Sequence, residues 1–443
     1  MVNVPAVEQE PGAAPSQSLN TKEMRRILAS SFIGSTIEYY DFILYATAAA
    51  IVFNQVFFAG MGPEFATVAS FSTLAAGYIM RPLGGIFFGH FGDRMGRKTV
   101  LIVSMMLMGI ATTLIGLLPG YAQIGVAAPV LLVGLRIVQG FAVGGEWGGA
   151  MLVALEHAPD KKRGFAASFA NMGAPAGAVL ASLAVSLFTL LPREQFISWG
   201  WRVPFLLSVF LVLIGLVIRY KVSETPVFKE LEAKAAPKRI PLFEVLATHP
   251  KDIILGVLAG MSIYTMAGIV TVWAVSYAVD AGANATWVLN AKAFAALGSI
   301  GATIVGAKLS DRFGRRPVLL AGVLAAAVFA FPILWLVGFG TAWSYAAAVL
   351  LGQVIQGLIS GPFGAFVAEL FPTRMRYTGA SLTYQSASTL GAGFTPAIAA
   401  TLVAVAAGSF WLLGAVWVLV LLIAAAAVFL SSEGRQRELA SIT

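Results

Sequence analysis

Cysteine is absent from all 443 residues, so neither a disulfide framework nor thiolate chemistry is open to this chain. Histidine is nearly absent: His90, His157 and His249 are scattered, with no spacing that would hold a metal ion. No G-x-S-x-G, H-E-x-x-H or G-x-x-x-x-G-K-[ST] occurs, and Gly89, Gly92 and Gly96 lack phosphate-loop spacing. Charge is scarce as well. Only 11% of residues are charged against 58% hydrophobic, and the mean hydropathy of +0.83 lies far outside the range of a soluble domain. These absences argue against an enzyme and point to an all-α integral membrane protein.

The net charge of +8 and pI near 9.7 invite a nucleic-acid partner, but the placement of the charge rejects one. Apolar runs of helix length fall at roughly 29–54, 65–90, 98–118, 128–156, 164–190, 203–221, 252–278, 288–309, 317–338, 343–370, 377–405 and 409–431. Each can cross about 30 Å of hydrocarbon at 1.5 Å per residue. Basic residues gather before the first run and after each even-numbered one, so that 24 of 29 share one side of the membrane. The positive-inside bias makes that side cytoplasmic, with both termini inside a cell (plasma) membrane. The Ala- and Gly-heavy composition suggests a bacterial gene.

One motif occurs twice. Asp93-Arg94-Met95-Gly96-Arg97-Lys98 follows Gly92, and Asp311-Arg312-Phe313-Gly314-Arg315-Arg316 follows Ser310, 218 residues later and about half the chain apart. Each copy fills a short polar gap between two long apolar segments, which implies two homologous halves with equivalent cytoplasmic hairpins. The expected division is a disordered tail at 1–24, a six-helix bundle at 25–221, a cytoplasmic linker with short amphipathic helices at 222–251, a second bundle at 252–431, and a tail at 432–443. Gly140, Gly144 and Gly148 recur every four residues, a small-residue stripe suited to close helix packing.

A few charges lie inside apolar runs: Glu38, Asp41, Arg81, Arg136 and Glu146, all in the first half. Lys292 is placed at the outer end of the eighth run. An uncompensated charge in the bilayer costs at least about 2.5–3.5 kcal/mol, so such groups face a cavity or each other. At 100° per residue, Gly34, Glu38, Asp41 and Tyr45 fall within about 60° on the first span, and Arg136, Gln139, Val143 and Glu146 within about 80° on the fourth. Arg81 lies about 16 Å from the cytoplasmic edge, close to the midplane. Matching positions of the second half are neutral, such as Gln353, Gln356, Tyr384 and Gln385.

Four motifs then narrow the family: Glu38-Tyr39-Tyr40-Asp41-Phe42 with Tyr45, Arg81-Pro82-Leu83-Gly84, the stretch Arg136 to Gly149, and Gly200-Trp201-Arg202-Val203-Pro204-Phe205. With the paired hairpins, they resemble the metabolite:proton symporter branch of the major facilitator superfamily. That branch carries shikimate, 2-oxoglutarate, citrate, proline and glycine betaine. GHFGDRMGRK at Gly89 to Lys98 and QGFAVGGEWGGA from Gln139 are most similar to shikimate-like members. The resemblance implies twelve transmembrane helices in two pseudosymmetric six-helix bundles, acting as a monomer on a small organic acid or zwitterion. It implies no cofactor, with the proton gradient as energy source.

The resemblance also makes Asp41 and Arg136 the proton-coupling pair. A carboxylic acid beside a guanidinium releases its proton readily, and one that is separated or dried holds it. Glu38 and Glu146 are rival acceptors. Arg81 can take a substrate carboxylate through its bidentate fork; Tyr39, Tyr45, Gln139, Tyr264, Tyr384 and Gln385 are candidate pocket hydrogen-bonders. At the cytoplasmic face, Asp93-Arg94 with Arg97 and Asp311-Arg312 with Arg315 form the expected gate. Pseudosymmetry places Asp93 near the span-eleven start at Tyr377, and Asp311 near the span-five start at Gly164, where free N–H groups favour a carboxylate. Glu156 and Glu369 close spans four and ten and can pair with Arg97 and Arg315. A channel is disfavoured by the paired hairpins. A proton antiporter stays open through Gly173-Ala174-Pro175-Ala176-Gly177, an incomplete antiporter motif, and so does an uncoupled uniporter.

Overall fold

The computed structural model describes residues 21–95, 97–144, 151, 154–155, 158, 162–221, 241–372 and 376–434. The described part is built of helices, and the long ones follow the apolar runs closely. In the first half they are α1 (Thr21–Ile51), α2 (Pro63–Met95), α3 (Arg97–Leu117), α4 (Ala127–Val143), α5 (Arg163–Phe188) and α6 (Arg202–Lys221). The second half holds α7 (Pro250–Asp280), α8 (Ala285–Phe313), α9 (Arg315–Gly338), α10 (Ala342–Glu369), α11 (Thr378–Val405) and α12 (Trp411–Leu430). Seven of these, α5 and α7 to α12, are each long and apolar enough to cross a membrane; α6 with the short segment Arg193–Gly200, bent by 42°, makes an eighth. Around them the surface is apolar where a soluble protein would be polar, and Trp287, Trp343 and Trp411 stand exposed at helix ends. Such an aromatic fringe suits a membrane interface.

Helix boundaries have local causes. Pro250 starts α7 at a position where its missing N–H costs nothing. Asn284 accepts from Trp287 N and caps α8, so that helix begins three residues before the apolar run does. Gly314 separates α8 from α9 with φ +106°, a conformation that favours glycine, which explains the glycine of the second hairpin motif. Of the linker, 241–251 is described and carries the helix Pro241–Thr248, while 222–240 lies outside the described residues, as do 1–20 and 435–443 of the expected tails; the first helix starts at Thr21, inside the stretch expected as a tail.

The halves repeat one packing scheme. Gly77 and Gly85 of α2 meet Gly140 and Gly144 of α4 backbone to backbone; a methyl on Gly85 would sit 3.0 Å from Gly144 O. In the second half Gly306 of α8 and Gly361 of α10 do the same, and a methyl on the nearby Gly357 would sit 2.5 Å from Ser299 O. Small residues at these crossings are what membrane helix packing demands. Gly148, the third member of the stripe, lies outside the described residues. Between the halves, α5 packs on α8 and α2 on α11, leaving a central space between the bundles.

Candidate functional site

That space is a cavity of about 140 Å³, room for several waters or one small metabolite. Its first-half wall comes from α1 (Tyr39, Phe42, Ile43, Ala46), α2 (Leu74, Tyr78) and α5 (Asn171, Ala174, Pro175). The second half contributes Tyr264 and Thr271 from α7, Lys292, Ser299 and Thr303 from α8, Gln353 and Gln356 from α10, and Tyr384 from α11. Tyr39 and Tyr384 join hydroxyl to hydroxyl across the halves. The Tyr264 ring stands edge-on to Tyr384 at 5.5 Å. Gln356 donates to Ile263 O at 3.2 Å, and Asn171 donates to Ser360 O at 2.8 Å.

Tyr39, Tyr264 and Tyr384 thus reach the cavity, whereas four other residues expected there are held elsewhere. Tyr45 is buried in the first bundle and donates to Thr73 at 2.7 Å. Gln139 is spent on Thr112 and Arg136. Gln385 donates to Gly144 O at 3.3 Å, bridging α11 to α4. Arg81 is not among the lining residues described; its guanidinium lies over two adjoining ring faces, 3.7 Å from the Phe42 centroid and 4.2 Å from that of Tyr78. Both rings line the cavity, so Arg81 stands just behind it. Lys292 departs further from expectation. It is buried in the cavity wall, two turns into α8, and is the one formally charged side chain among the lining residues described. The sequence hides this because its apolar run begins at 288, which puts Lys292 at the membrane edge.

A second polar cluster fills the interior of the first bundle. Asp41 turns away from the cavity and accepts from Ser208 of α6 at 2.7 Å, and its other oxygen finds no partner among the described residues. Arg136 donates to Gln139 Oε1 at 3.1 Å, Gln139 donates to Thr112 at 2.7 Å, and Thr112 lies beside Asp41. No direct ion pair joins Asp41 to Arg136 among the described residues. Instead Arg136 lies on the faces of Phe42 and Tyr45, at 3.8 and 4.1 Å from their centroids, so Phe42 is held between two guanidiniums. Glu38 is buried one turn from Asp41. Glu146 lies outside the described residues.

Contacts join the halves on both faces. On the face carrying the hairpin motifs, the Asp311 carboxylate accepts from Gly164 N and Phe165 N, both at 3.0 Å, where α5 begins. Free amides at a helix start attract a carboxylate. Arg315 joins Asp311 at 2.6 Å and Glu369 at 3.1 Å. Glu433, which the sequence did not single out, accepts from Arg315 N and Arg316 N at 2.9 Å each, satisfying the start of α9. Arg312 is exposed against the neighbouring Phe313 ring and takes no part in this cluster. The side chains of Asp93, Arg94 and Arg97, and Glu156 entirely, lie outside the described residues. On the opposite face, Ser186 donates to Asn290 at 2.7 Å and Thr189 meets Thr286 at 2.9 Å, tying α5 to α8. Arg202 caps the end of α3 through Gly116 O and Leu118 O, which gives the motif arginine there a structural task.

A family model described as Major Facilitator Superfamily matches residues 31–395. The chain belongs to this superfamily. Among similar curated members, the inner membrane metabolite transport protein YhjE of Escherichia coli is 44% identical over 387 residues, 85% of this chain and 87% of that one. The shikimate transporter of E. coli is 40% identical over 412 residues, covering 89% and 91%. Its proline/betaine transporter is 33% identical over 398 residues, covering 86% and 78%. A solved structure of a proton:xylose symporter overlays with a TM-score of 0.75 at 18% identity, covering 96% and 99%, and so shares the facilitator fold. As a facilitator, this chain is a membrane-spanning transporter with bacterial relatives, and not an enzyme.

Proposed function

We propose that the chain is a proton-coupled symporter that imports a small carboxylated metabolite by alternating access. The observation that carries this reading is the cavity between the halves, flanked on one face by Asp311 on the α5 amides and on the other by Ser186–Asn290 and Thr189–Thr286. Breaking one set while keeping the other exposes the cavity to one side at a time. The halves, residues 25–221 and 252–431, rock about it, joined by 222–251. Both termini are cytoplasmic, and the protein works as a monomer in the bacterial plasma membrane with the proton gradient as its only energy source.

Coupling belongs to the first half. Asp41 is the leading proton acceptor, within a dry network of Ser208, Thr112, Gln139 and Arg136, and Glu38 and Glu146 are its rivals. The backbone of α1 links this network to the cavity, because Tyr39, Phe42 and Ile43 face the ligand while Asp41 faces inward. Uptake of labelled shikimate, 2-oxoglutarate, citrate and glycine betaine into proteoliposomes, with and without an imposed pH gradient, tests the reading. At least one acid is expected to accumulate only when the gradient is inward. Accumulation indifferent to the gradient for every solute would overturn coupling.

A further inference from the structure

We propose that Lys292 is the anion anchor of the cavity, where its ammonium receives a carboxylate of a small hydroxy- or oxo-acid. This rests on the symporter reading above and adds the residue and the charge class that govern recognition. Lys292 is 1% exposed, and its ammonium donates to Thr47 Oγ1 at 2.9 Å. An ammonium carries three N–H donors, and a single hydroxyl satisfies one of them. No carboxylate pairs with it among the described residues, and no other lining residue described carries a formal charge. A cation buried without a counterion is costly in a membrane interior. A ligand carboxylate supplies the missing counterion.

The rest of the wall specifies the ligand further. Neutral donors and acceptors line the same cavity: Gln353, Gln356 and Asn171, and Tyr39, Tyr264 and Tyr384. These suit hydroxyl or oxo groups. No acid among the lining residues described would pair a ligand ammonium, so a net anion is preferred over a zwitterion.

The Thr47 bond ties recognition to movement. Thr47 is on α1 and Lys292 on α8, so their bond crosses between the halves. Thr47 donates in turn to Ile43 O at 2.8 Å, which turns its lone pairs towards the ammonium. Lys292 lies about 10 Å inside the start of α8, beneath Thr286 and Asn290. A carboxylate seated on Lys292 therefore acts directly on a contact that joins the halves on this face.

The test measures binding of shikimate, 2-oxoglutarate and citrate to the purified protein, each beside its neutral methyl ester, for wild type, Lys292→Met and Lys292→Arg. Wild type should prefer at least one acid to its ester by tenfold or more. Lys292→Met should abolish that preference, and Lys292→Arg should restore part of it. The thermal midpoint of Lys292→Met should equal or exceed wild type, since an apolar chain replaces a buried charge. If Lys292→Met unfolded earlier yet kept the acid-over-ester preference, Lys292 would be a structural residue and the inference would fall alone. If wild type neither bound nor transported any of the acids, the carboxylate-symport reading would fall and the inference with it.

Discussion

No ion pair joins Asp41 to Arg136 among the described residues; they are related through Gln139 and Thr112, while Asp41 accepts a hydrogen bond from Ser208. The carboxylate and the guanidinium therefore sense each other across polar side chains rather than as a closed ion pair. A relay of this kind can change partners when α1, α4 and α6 shift. Asp41→Asn is expected to abolish accumulation against a gradient while sparing exchange of labelled for unlabelled substrate, because the cavity wall is untouched. Retained accumulation would assign the proton to Glu38 or Glu146.

The place of Arg81 gives a second prediction. It lies over the faces of Phe42 and Tyr78, so it shapes the cavity through two of its rings. Lysine cannot reproduce the planar stacking. A cation–π contact contributes about 0.5–2 kcal/mol, so Arg81→Lys should weaken acid binding about twofold to thirtyfold. Its preference for acid over methyl ester should persist. Loss of that preference would make Arg81 the direct anchor that the sequence suggested.

Asp311 bridges the halves by accepting from Gly164 N and Phe165 N. Asp311→Ala leaves those amides without their acceptor and leaves Arg315 with Glu369 and the Ser310 hydroxyl. Charged hydrogen bonds contribute about 1.5–3 kcal/mol each, so opening on this face should rise roughly tenfold or more. The alkylation rate of a cysteine placed at Ser360, which lines the cavity, reports the opening. An unchanged rate would remove Asp311 from the gate.

Orientation can be read with single cysteines in this naturally cysteine-free chain. Met61 and Val126 are 53% and 67% exposed on the face opposite the hairpin motifs. In intact cells an impermeant reagent should label Met61→Cys and Val126→Cys but not Lys234→Cys. The reverse pattern would invert the topology.

Much of the fold was legible because membrane spans advertise themselves by length and apolarity, and because the repeated hairpin fixed the two-fold plan. Asp311 near Gly164 was legible for the same reason, since pseudosymmetry states which helix start faces which hairpin. Lys292 was not legible. A lysine a few residues inside an apolar run looks like an edge residue until the capping by Asn284 lengthens the helix. Tyr45, Gln139 and Gln385 misled for another reason. Helical periodicity tells which residues share a stripe, but not whether that stripe faces the cavity or a neighbouring helix. Arg81 shows the same limit: its depth was readable, whereas the two ring faces it lies over depend on packing of α1 against α2.

The central claim, that substrate and proton move together in one direction, is tested most directly by the lumenal pH of proteoliposomes under no preset gradient. An acid that the protein takes up is added outside, with protein-free vesicles as the control for passive entry. The account predicts that the lumen acidifies faster than the control and that Asp41→Asn removes the difference. A lumen that turns alkaline would establish exchange in place of symport, and uptake with no pH change beyond the control would show an uncoupled carrier.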